Sequence, residues 1–251
     1  MKHTLKISAL LCAGLLSTAA NADTLLGGYV GAQAWNMGAT GGFSQNESIQ
    51  GFNFDDETNI GFYAALEHPI PFVPNIKIAR TNMDTMGTAN IDTQFTFGGN
   101  LYLVDANLET TVEMTATDYV LYYELLDNSL VALDVGISAK QVEGDFIVVD
   151  ENGNTGTENF DGFIPMAYGK VQIGLPLTGL GLHAEGSFLS IDDDSFTDYQ
   201  VALTYNFVET LALDLTIQAG YRSVTLDIED LDDIYADVEF DGAFVGIEFD
   251  F

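Results

Sequence analysis

The stretch Ala243-Phe244-Val245-Gly246-Ile247-Glu248-Phe249-Asp250-Phe251 decides the predicted fold. Val245, Ile247, Phe249 and Phe251 share one apolar face, and the residues between them include two carboxylates. A strand with an apolar face, an acidic face and an aromatic last residue suits a barrel wall between lipid and water. We therefore predict an all-β chain that forms a single transmembrane antiparallel barrel. Those four apolar residues are the expected signal for the outer-membrane barrel assembly machinery.

The N-terminal residues predict export. Lys2 and Lys6 make the first segment basic, residues 7–18 are apolar, and Ala20-Asn21-Ala22 is a small-x-small cleavage site. This is the pattern of a secretory signal peptide. We expect residues 1–22 to be removed on the general secretory route, leaving residues 23–251 as one barrel domain in a bacterial outer membrane. Cleavage also removes Cys12, the one cysteine, so no disulfide is expected.

The chain is strongly acidic, with a formal net charge of −31. After cleavage the cations are Lys77, Arg80, Lys140, Lys170 and Arg222. Such a surface repels nucleic acid and bare anionic membrane, so neither is an expected partner.

Alternating apolar and polar residues set the predicted strand count. No run after residue 22 is long enough for a transmembrane helix, whereas residues 211–221 are apolar at every odd position. We predict ten strands, with eight as the alternative, near residues 24–37, 58–68, 75–83, 111–126, 130–149, 161–175, 181–191, 197–207, 211–228 and 237–251. Longer polar connections are expected at residues 38–57, 84–110, 150–160, 192–196 and 229–236, alternating with short turns.

Three points stay open. Residues 94–104 either extend a strand or form a hairpin in a loop. Either Val30 or the pair Tyr29 and Trp35 faces lipid on the first strand. A soluble barrel of lipocalin type would turn the apolar faces inward, but charges at many heights on the polar faces favour the membrane barrel.

Several stretches carry a resemblance: Asp23-Thr-Leu-Leu-Gly27-Gly28, Ala65-Leu-Glu-His-Pro-Ile-Pro71, Thr117-Asp-Tyr-Val-Leu-Tyr-Tyr-Glu-Leu-Leu-Asp127, Gly220-Tyr-Arg-Ser-Val224 and the terminal strand. With these, the chain resembles an uncharacterised family of small outer-membrane β-barrel proteins of Gram-negative bacteria, marked by a Gly-Gly pair near the mature N-terminus. The resemblance implies the fold and the location. It implies no catalytic or binding residues.

The histidines give little support to catalysis. His68 lies in a proline-rich turn, where a structural role is expected. His183, Glu185 and Ser187 fall on one strand face, but side chains in such a row do not converge as a catalytic triad must. We therefore expect no enzyme activity and no cofactor.

Charged residues on the predicted polar faces of adjacent strands lie at matching heights above the periplasmic turns, so we expect them to form ion pairs. The expected ion pairs are Lys170 with Glu185, Arg222 with Asp198, and Lys140 with Asp118. An unpaired charge in a narrow interior is costly, so such pairs predict a plugged lumen. A charged, ion-selective constriction is the alternative.

The predicted loops are acidic. Loosely bound Ca²⁺ or Mg²⁺ could bridge them to anionic lipopolysaccharide, although residues 150–161 miss the calcium-loop pattern at the glycine and closing glutamate positions. The candidate cation-binding residues are Asp150, Asn152, Asn154, Glu158, Asp192, Asp193 and Asp194. Residues 227–241 could fold over the mouth as a lid.

The leading hypothesis is a non-enzymatic barrel with a structural or surface-interaction role, in contact with outer-membrane lipid and lipopolysaccharide. The alternative is a narrow passive channel for small solutes or cations. The sequence names no partner protein.

Overall fold

The computed structural model describes residues 26–45, 48–128, 130–191, 194–210, 213–231 and 234–251, and only the backbone of residues 230, 231 and 234. The predicted signal peptide lies outside these residues. Within them, no helix is long and apolar enough to cross a membrane. The strands are β1 (Gly27–Ser44), β2 (Gln50–Gly51), β3 (Asn53–Phe54), β4 (Glu57–Glu67), β5 (Asn75–Asn82), β6 (Thr85–Asn90), β7 (Phe95–Phe97), β8 (Asn100–Tyr102), β9 (Asn107–Asp127), β10 (Val131–Asp150), β11 (Thr155–Gly174), β12 (Leu180–Ile191), β13 (Asp194–Glu209), β14 (Asp214–Leu231) and β15 (Ile234–Asp250).

The long strands close into an antiparallel barrel. Its order is β1, β4, β5, β9, β10, β11, β12, β13, β14, β15 and back to β1. β6 continues β5 along the same partner, β9, so the two form one wall segment. The ring therefore has ten strands, which confirms the prediction and excludes eight. The closing register runs from Tyr29 opposite Asp250 to Ser44 opposite Tyr235.

One half of the barrel has an apolar outside and a polar inside. Phe62, Ile137 and Leu203 on its outer face are 62–65% exposed. On the inner face Lys140 is 1% and Lys170 8% exposed. A soluble barrel would show the reverse, so the lipocalin-type alternative is wrong and the exposed apolar belt is the lipid-facing surface. Gly27 at the start of β1, the C-terminal Phe251 and the short turns lie at this end, which we call periplasmic; the other end is extracellular.

The terminal strands resolve the open face assignment. Tyr29 and Trp35 are buried inside the barrel, whereas Val30 is exposed on the lipid side. The backbones of Gly28 and Phe251 exchange two hydrogen bonds, of 3.0 and 2.9 Å, at the closing seam. Of the predicted apolar face, Val245, Ile247 and Phe251 are exposed and Phe249 is half-buried, on the same side of β15.

The polarity of both faces is exchanged beyond the lipid belt. On β10, Ile137 points outward to lipid, but higher up the buried residues are Val142 and Val148, which point inward. There the outer face carries exposed Glu143 and Asp145. The alternation continues without a break, so the extracellular half is built like a soluble barrel, with an apolar core inside and carboxylates outside.

Most of the predictions of long loops are wrong, because the strands continue beyond the lipid belt. β1 continues to Ser44, β11 begins at Thr155, β13 at Asp194 and β15 at Ile234. Residues that were expected to be connections are strand extensions whose acidic outer face resembles loop composition. β2 pairs with β1, and β3 pairs with β6. These short strands complete the wall on the extracellular side of Glu57, where β4 begins.

Candidate functional site

A central charge network occupies the lumen near the upper edge of the lipid belt. We use this name for Asp118, Lys140, Asp198 and Arg222, on β9, β10, β13 and β14. Lys140 Nζ lies 2.7 Å from the Asp118 carboxylate and 2.8 Å from Asp198 Oδ2. Arg222 donates through Nε and Nη2 to the two oxygens of Asp198, at 3.0 and 2.8 Å. Two expected pairs are therefore formed, and Lys140 joins them across the lumen.

The third expected pair, Lys170 with Glu185, is wrong. The two residues are register partners, but the closest ion-pair contact of Lys170 Nζ is with Asp134, at 3.6 Å on the other neighbouring strand. Glu185 instead accepts a hydrogen bond from Lys77 at 2.5 Å. Lys77 on β5 reaches Glu185 on β12 through the lumen, and this second partner changes the pairing.

Lys77 is the lumen cation that sequence reasoning missed. Arg80 and Asn82 obscure the alternation of β5, yet exposed Ile76 and Ile78 flank a buried Lys77. That short alternation was the available signal. Of the cations in the described residues, Arg80 is the one that points outward.

Tyrosines and carboxylates fill the periplasmic half of the lumen. Tyr63 donates a hydrogen bond to Glu248 at 2.9 Å, and Tyr122 donates to Glu67 at 2.7 Å. Tyr168 donates to Glu185 at 3.0 Å. The gap left among the lumen side chains has a volume of about 60 Å³, which is room for a few water molecules.

The His183 constellation is not arranged as a triad. His183 Nε2 lies 3.3 Å from Glu185 Oε2. The Ser187 hydroxyl is hydrogen-bonded to Ser138 at 3.2 Å rather than to His183, so no base is placed to activate it as a nucleophile. These residues form part of the polar packing of the lumen.

An apolar hairpin closes the extracellular half. The plug hairpin, as we call β7–β8 and its turn, places Phe95, Phe97 and Tyr102 in the buried apolar core. The Tyr102 hydroxyl donates to the Val148 carbonyl, and the Asn100 amide donates to the Thr155 carbonyl, both at 2.8 Å. Of the two readings for residues 94–104, the loop hairpin is correct.

The predicted lid is wrong, because residues 227–231 and 234–241 belong to β14 and β15 and form barrel wall. The plug hairpin, rather than residues 227–241, closes this end of the barrel. Its aromatic residues are less conspicuous in the sequence than the acidic residues of 227–241.

The candidate cation-binding residues do not converge. Both carboxylate oxygens of Asp150 accept hydrogen bonds from Asn152 and Asn154 in their own turn, at 2.7–2.9 Å. Although desolvation acts in the opposite direction, these hydrogen bonds lower the pKa of the Asp150 carboxyl below its ordinary value. Glu158 accepts from Gln45 at 2.8 Å, and Asp194 from the backbone of residue 229 at 2.9 Å.

Asp192 and Asp193 lie outside the described residues. Across the residues that are described, no group of three or more histidine, cysteine, aspartate or glutamate side chains is placed to hold a metal ion.

The chain matches no protein-family model and no curated protein sequence. Among solved structures it is similar to the outer-membrane protease OmpT from Escherichia coli, with 10% identity over 94% of this chain and 100% of that one and a TM-score of 0.48. The translocator domain of the autotransporter NalP from Neisseria meningitidis matches at 10% identity over 97% and 95%, with a TM-score of 0.44. Ail, the attachment invasion locus protein of Yersinia pestis, matches at 12% identity over 90% and 99%, with a TM-score of 0.35.

OmpT is an outer-membrane protein by name, and at such low identity and TM-scores none of the three proteins carries an inference about the activity of this chain. The resemblance to the family with a Gly-Gly pair stays a prediction.

Proposed function

We propose that this protein is a closed, non-enzymatic barrel of the Gram-negative outer membrane with a structural or surface-interaction role. The observation that carries the proposal is the double closure of the lumen. The gap between the central charge network and its tyrosine neighbours has a volume of only about 60 Å³. The plug hairpin and the apolar core fill the extracellular half. A channel would require both layers to open.

The outer surface supports an interaction role. Above the lipid belt, the outer faces of β9, β10 and β11 present Glu113, Glu143, Asp145 and Asp161 around one shallow depression. Carboxylates at this height would meet the phosphates of lipopolysaccharide, and like charges repel unless a divalent cation lies between them. We therefore propose loosely bound Ca²⁺ or Mg²⁺ as the bridge to lipopolysaccharide, with no other cofactor and no nucleic-acid partner.

Export and assembly complete the proposal. The signal peptide directs the chain to the general secretory route, and the terminal strand that ends in Phe251 is recognised by the barrel assembly machinery. The exposed apolar belt then contacts outer-membrane lipid.

Planar-bilayer conductance of the refolded protein tests the closed lumen. We expect no discrete conductance steps, with or without millimolar calcium, while a heat-modifiable gel shift verifies folding. A variant with residues 94–103 replaced by a short glycine-serine linker should stay silent, because the charge network remains. Discrete cation-selective steps from the wild-type protein would overturn the proposal and establish the narrow passive channel.

Lipopolysaccharide binding tests the interaction role. Co-migration of lipopolysaccharide with the folded protein on native gels should require calcium. The triple substitution Glu143→Gln, Asp145→Asn and Asp161→Asn should weaken this dependence, since it removes the carboxylates that a cation would bridge. Calcium-independent binding of equal strength by both proteins would refute the bridge.

A further inference from the structure

Two periplasmic turns share an unusual construction. In Ile70-Pro71-Phe72-Val73 and Leu175-Pro176-Leu177-Thr178, a proline precedes a large apolar residue with φ of +66°. The amide of the fourth residue donates to the carbonyl of the first in each turn, at 3.4 and 3.3 Å. Proline second and a positive φ third define a type II turn, whose third position favours glycine or asparagine.

The apolar residues occupy these positions at a conformational cost. A β-carbon in the left-handed region crowds the following carbonyl, and glycine avoids that strain. The second turn uses glycine two residues later, where Gly179 has φ of +71°. The remaining described non-glycine residue with positive φ is Asp105, a type that tolerates it. Strain kept at Phe72 and Leu177 points to a use for their side chains.

Neither side chain packs against the protein. Phe72 is 95% and Leu177 107% exposed. Packing within the fold therefore does not explain why these two residues are apolar, and exposure of their side chains to water is unfavourable.

Both tips extend the lipid-facing surface. Exposed Leu66 and Ile76 on β4 and β5 lead to the first turn, and Ile70 is exposed beside Phe72. The second turn is likewise flanked by Ile173, Leu175, Leu180 and Leu182, all exposed on β11, β12 or the turn itself. The apolar belt thus runs without interruption into each tip.

Charge separates these turns from the others at the same end. Residues 68–83 and 162–184 contain no aspartate or glutamate, in a chain that has 38. Glu67 directly precedes the first turn, but its carboxylate accepts a hydrogen bond from Tyr122 in the lumen. The other two turns at this end adjoin exposed Asp127 and Glu209. A carboxylate is repelled by lipid phosphates, so the acid-free turns are the ones suited to contact with a phospholipid leaflet.

We propose that Phe72 and Leu177 are anchors that insert into the boundary between headgroups and acyl chains of the periplasmic phospholipid leaflet. β9 and β10 separate the two turns on one side of the ring, and β13, β14, β15 and β1 separate them on the other. Anchors on opposite flanks fix the height and tilt of the barrel in the bilayer.

Depth-dependent quenching tests the insertion directly. The chain has one tryptophan, Trp35, which is 2% exposed and sets the same background in every variant. Phe72→Trp and Leu177→Trp, refolded in vesicles, should be quenched most by lipids brominated near the headgroup end of the acyl chain. Glu209→Trp, in an acidic turn at the same end, is the matched control and should remain accessible to aqueous acrylamide. Equal behaviour of all three would overturn the proposal and leave a periplasmic protein as the partner of the tips.

Glycine variants separate anchoring from a purely structural role. Phe72→Gly with Leu177→Gly relieves the backbone strain, so unfolding in detergent micelles should be unchanged or shifted to higher denaturant. In vesicles the same double variant should lose about tenfold in its folding equilibrium constant, because lipid contacts are removed. An equal loss in both media would overturn the proposal, and neither result depends on whether the lumen conducts.

Discussion

Removing Lys140 should be among the most destabilising single changes in the lumen. The Lys140 ammonium contacts Asp118 and Asp198 and is 1% exposed. With Arg222, these residues carry two positive and two negative charges. Lys140→Met leaves Asp198 paired with Arg222 but leaves the Asp118 carboxylate without its cation in a confined interior.

The expected loss of unfolding free energy is about 3–5 kcal/mol. Two charge-assisted hydrogen bonds disappear, each worth roughly 1.5–3 kcal/mol, and breaking a buried ion pair from one side costs about 3–5 kcal/mol. Lys140→Met combined with Asp118→Asn restores neutrality. The double variant should therefore recover more than half of the loss, even though it has two ion pairs fewer than the wild type.

Urea titration in phospholipid vesicles, followed by the fluorescence of Trp35, measures these differences. The Arg222 guanidinium lies 5.1 Å from the Trp35 ring centroid, so the signal reports on the network itself. Arg80→Met removes a cation from the outer face and serves as the control, with an expected change below about 1 kcal/mol. A loss below about 1 kcal/mol for Lys140→Met, or a double variant as unstable as the single one, would refute the reasoning.

Two further outcomes follow from the extracellular half. Gly98→Ala should release the plug hairpin and make it sensitive to protease in the folded barrel, because a β-carbon there would overlap the backbone of residues 156 and 157. Gly99→Ala meets nothing within 4 Å and should cost only about 1–2 kcal/mol of backbone strain; equal protease sensitivity would contradict this. The Asp150 carboxyl has a lowered pKa, so its turn is stabilised above its ordinary pKa of about 3.9 and loses that contribution as pH falls further. The protection of the Asn152 and Asn154 amides from hydrogen exchange, taken relative to their intrinsic rates, should fall at low pH, and an Asp150→Asn variant should remove the dependence.

The alternation of apolar and polar residues was sufficient to predict the barrel, because each transmembrane strand places apolar residues towards lipid and polar residues towards the lumen. The runs that include Leu203 and Ile217 were assigned to the correct strands from the sequence alone. The pattern also placed Lys140 and Asp118 opposite each other, since residues at equal heights on paired strands meet.

The sequence could not show which ion pair forms where the folded barrel brings more than one cation to the same carboxylate. Glu185 has Lys170 beside it in the sheet and Lys77 reaching it through the lumen. The position of Lys77 depends on ring closure, which a strand-by-strand reading does not include. The inversion of polarity above the belt was missed for a similar reason: Ala39 and Phe43 lie in the predicted connection 38–57, and only their packing with distant strands shows that they are core residues of the wall.

The strand extensions determine how far the protein reaches beyond the bilayer. The outer face of β10 is polar from Gln141 to Asp145 and the strand continues to Asp150, and the ten residues 141–150, tilted as in such barrels, rise about 25 Å. The screening length at physiological salt is about 8 Å, so the tip stands roughly three screening lengths away from the phosphates of the membrane surface. A molecule that arrives at the tip therefore meets the charge of this protein before it can sense the charge of the membrane.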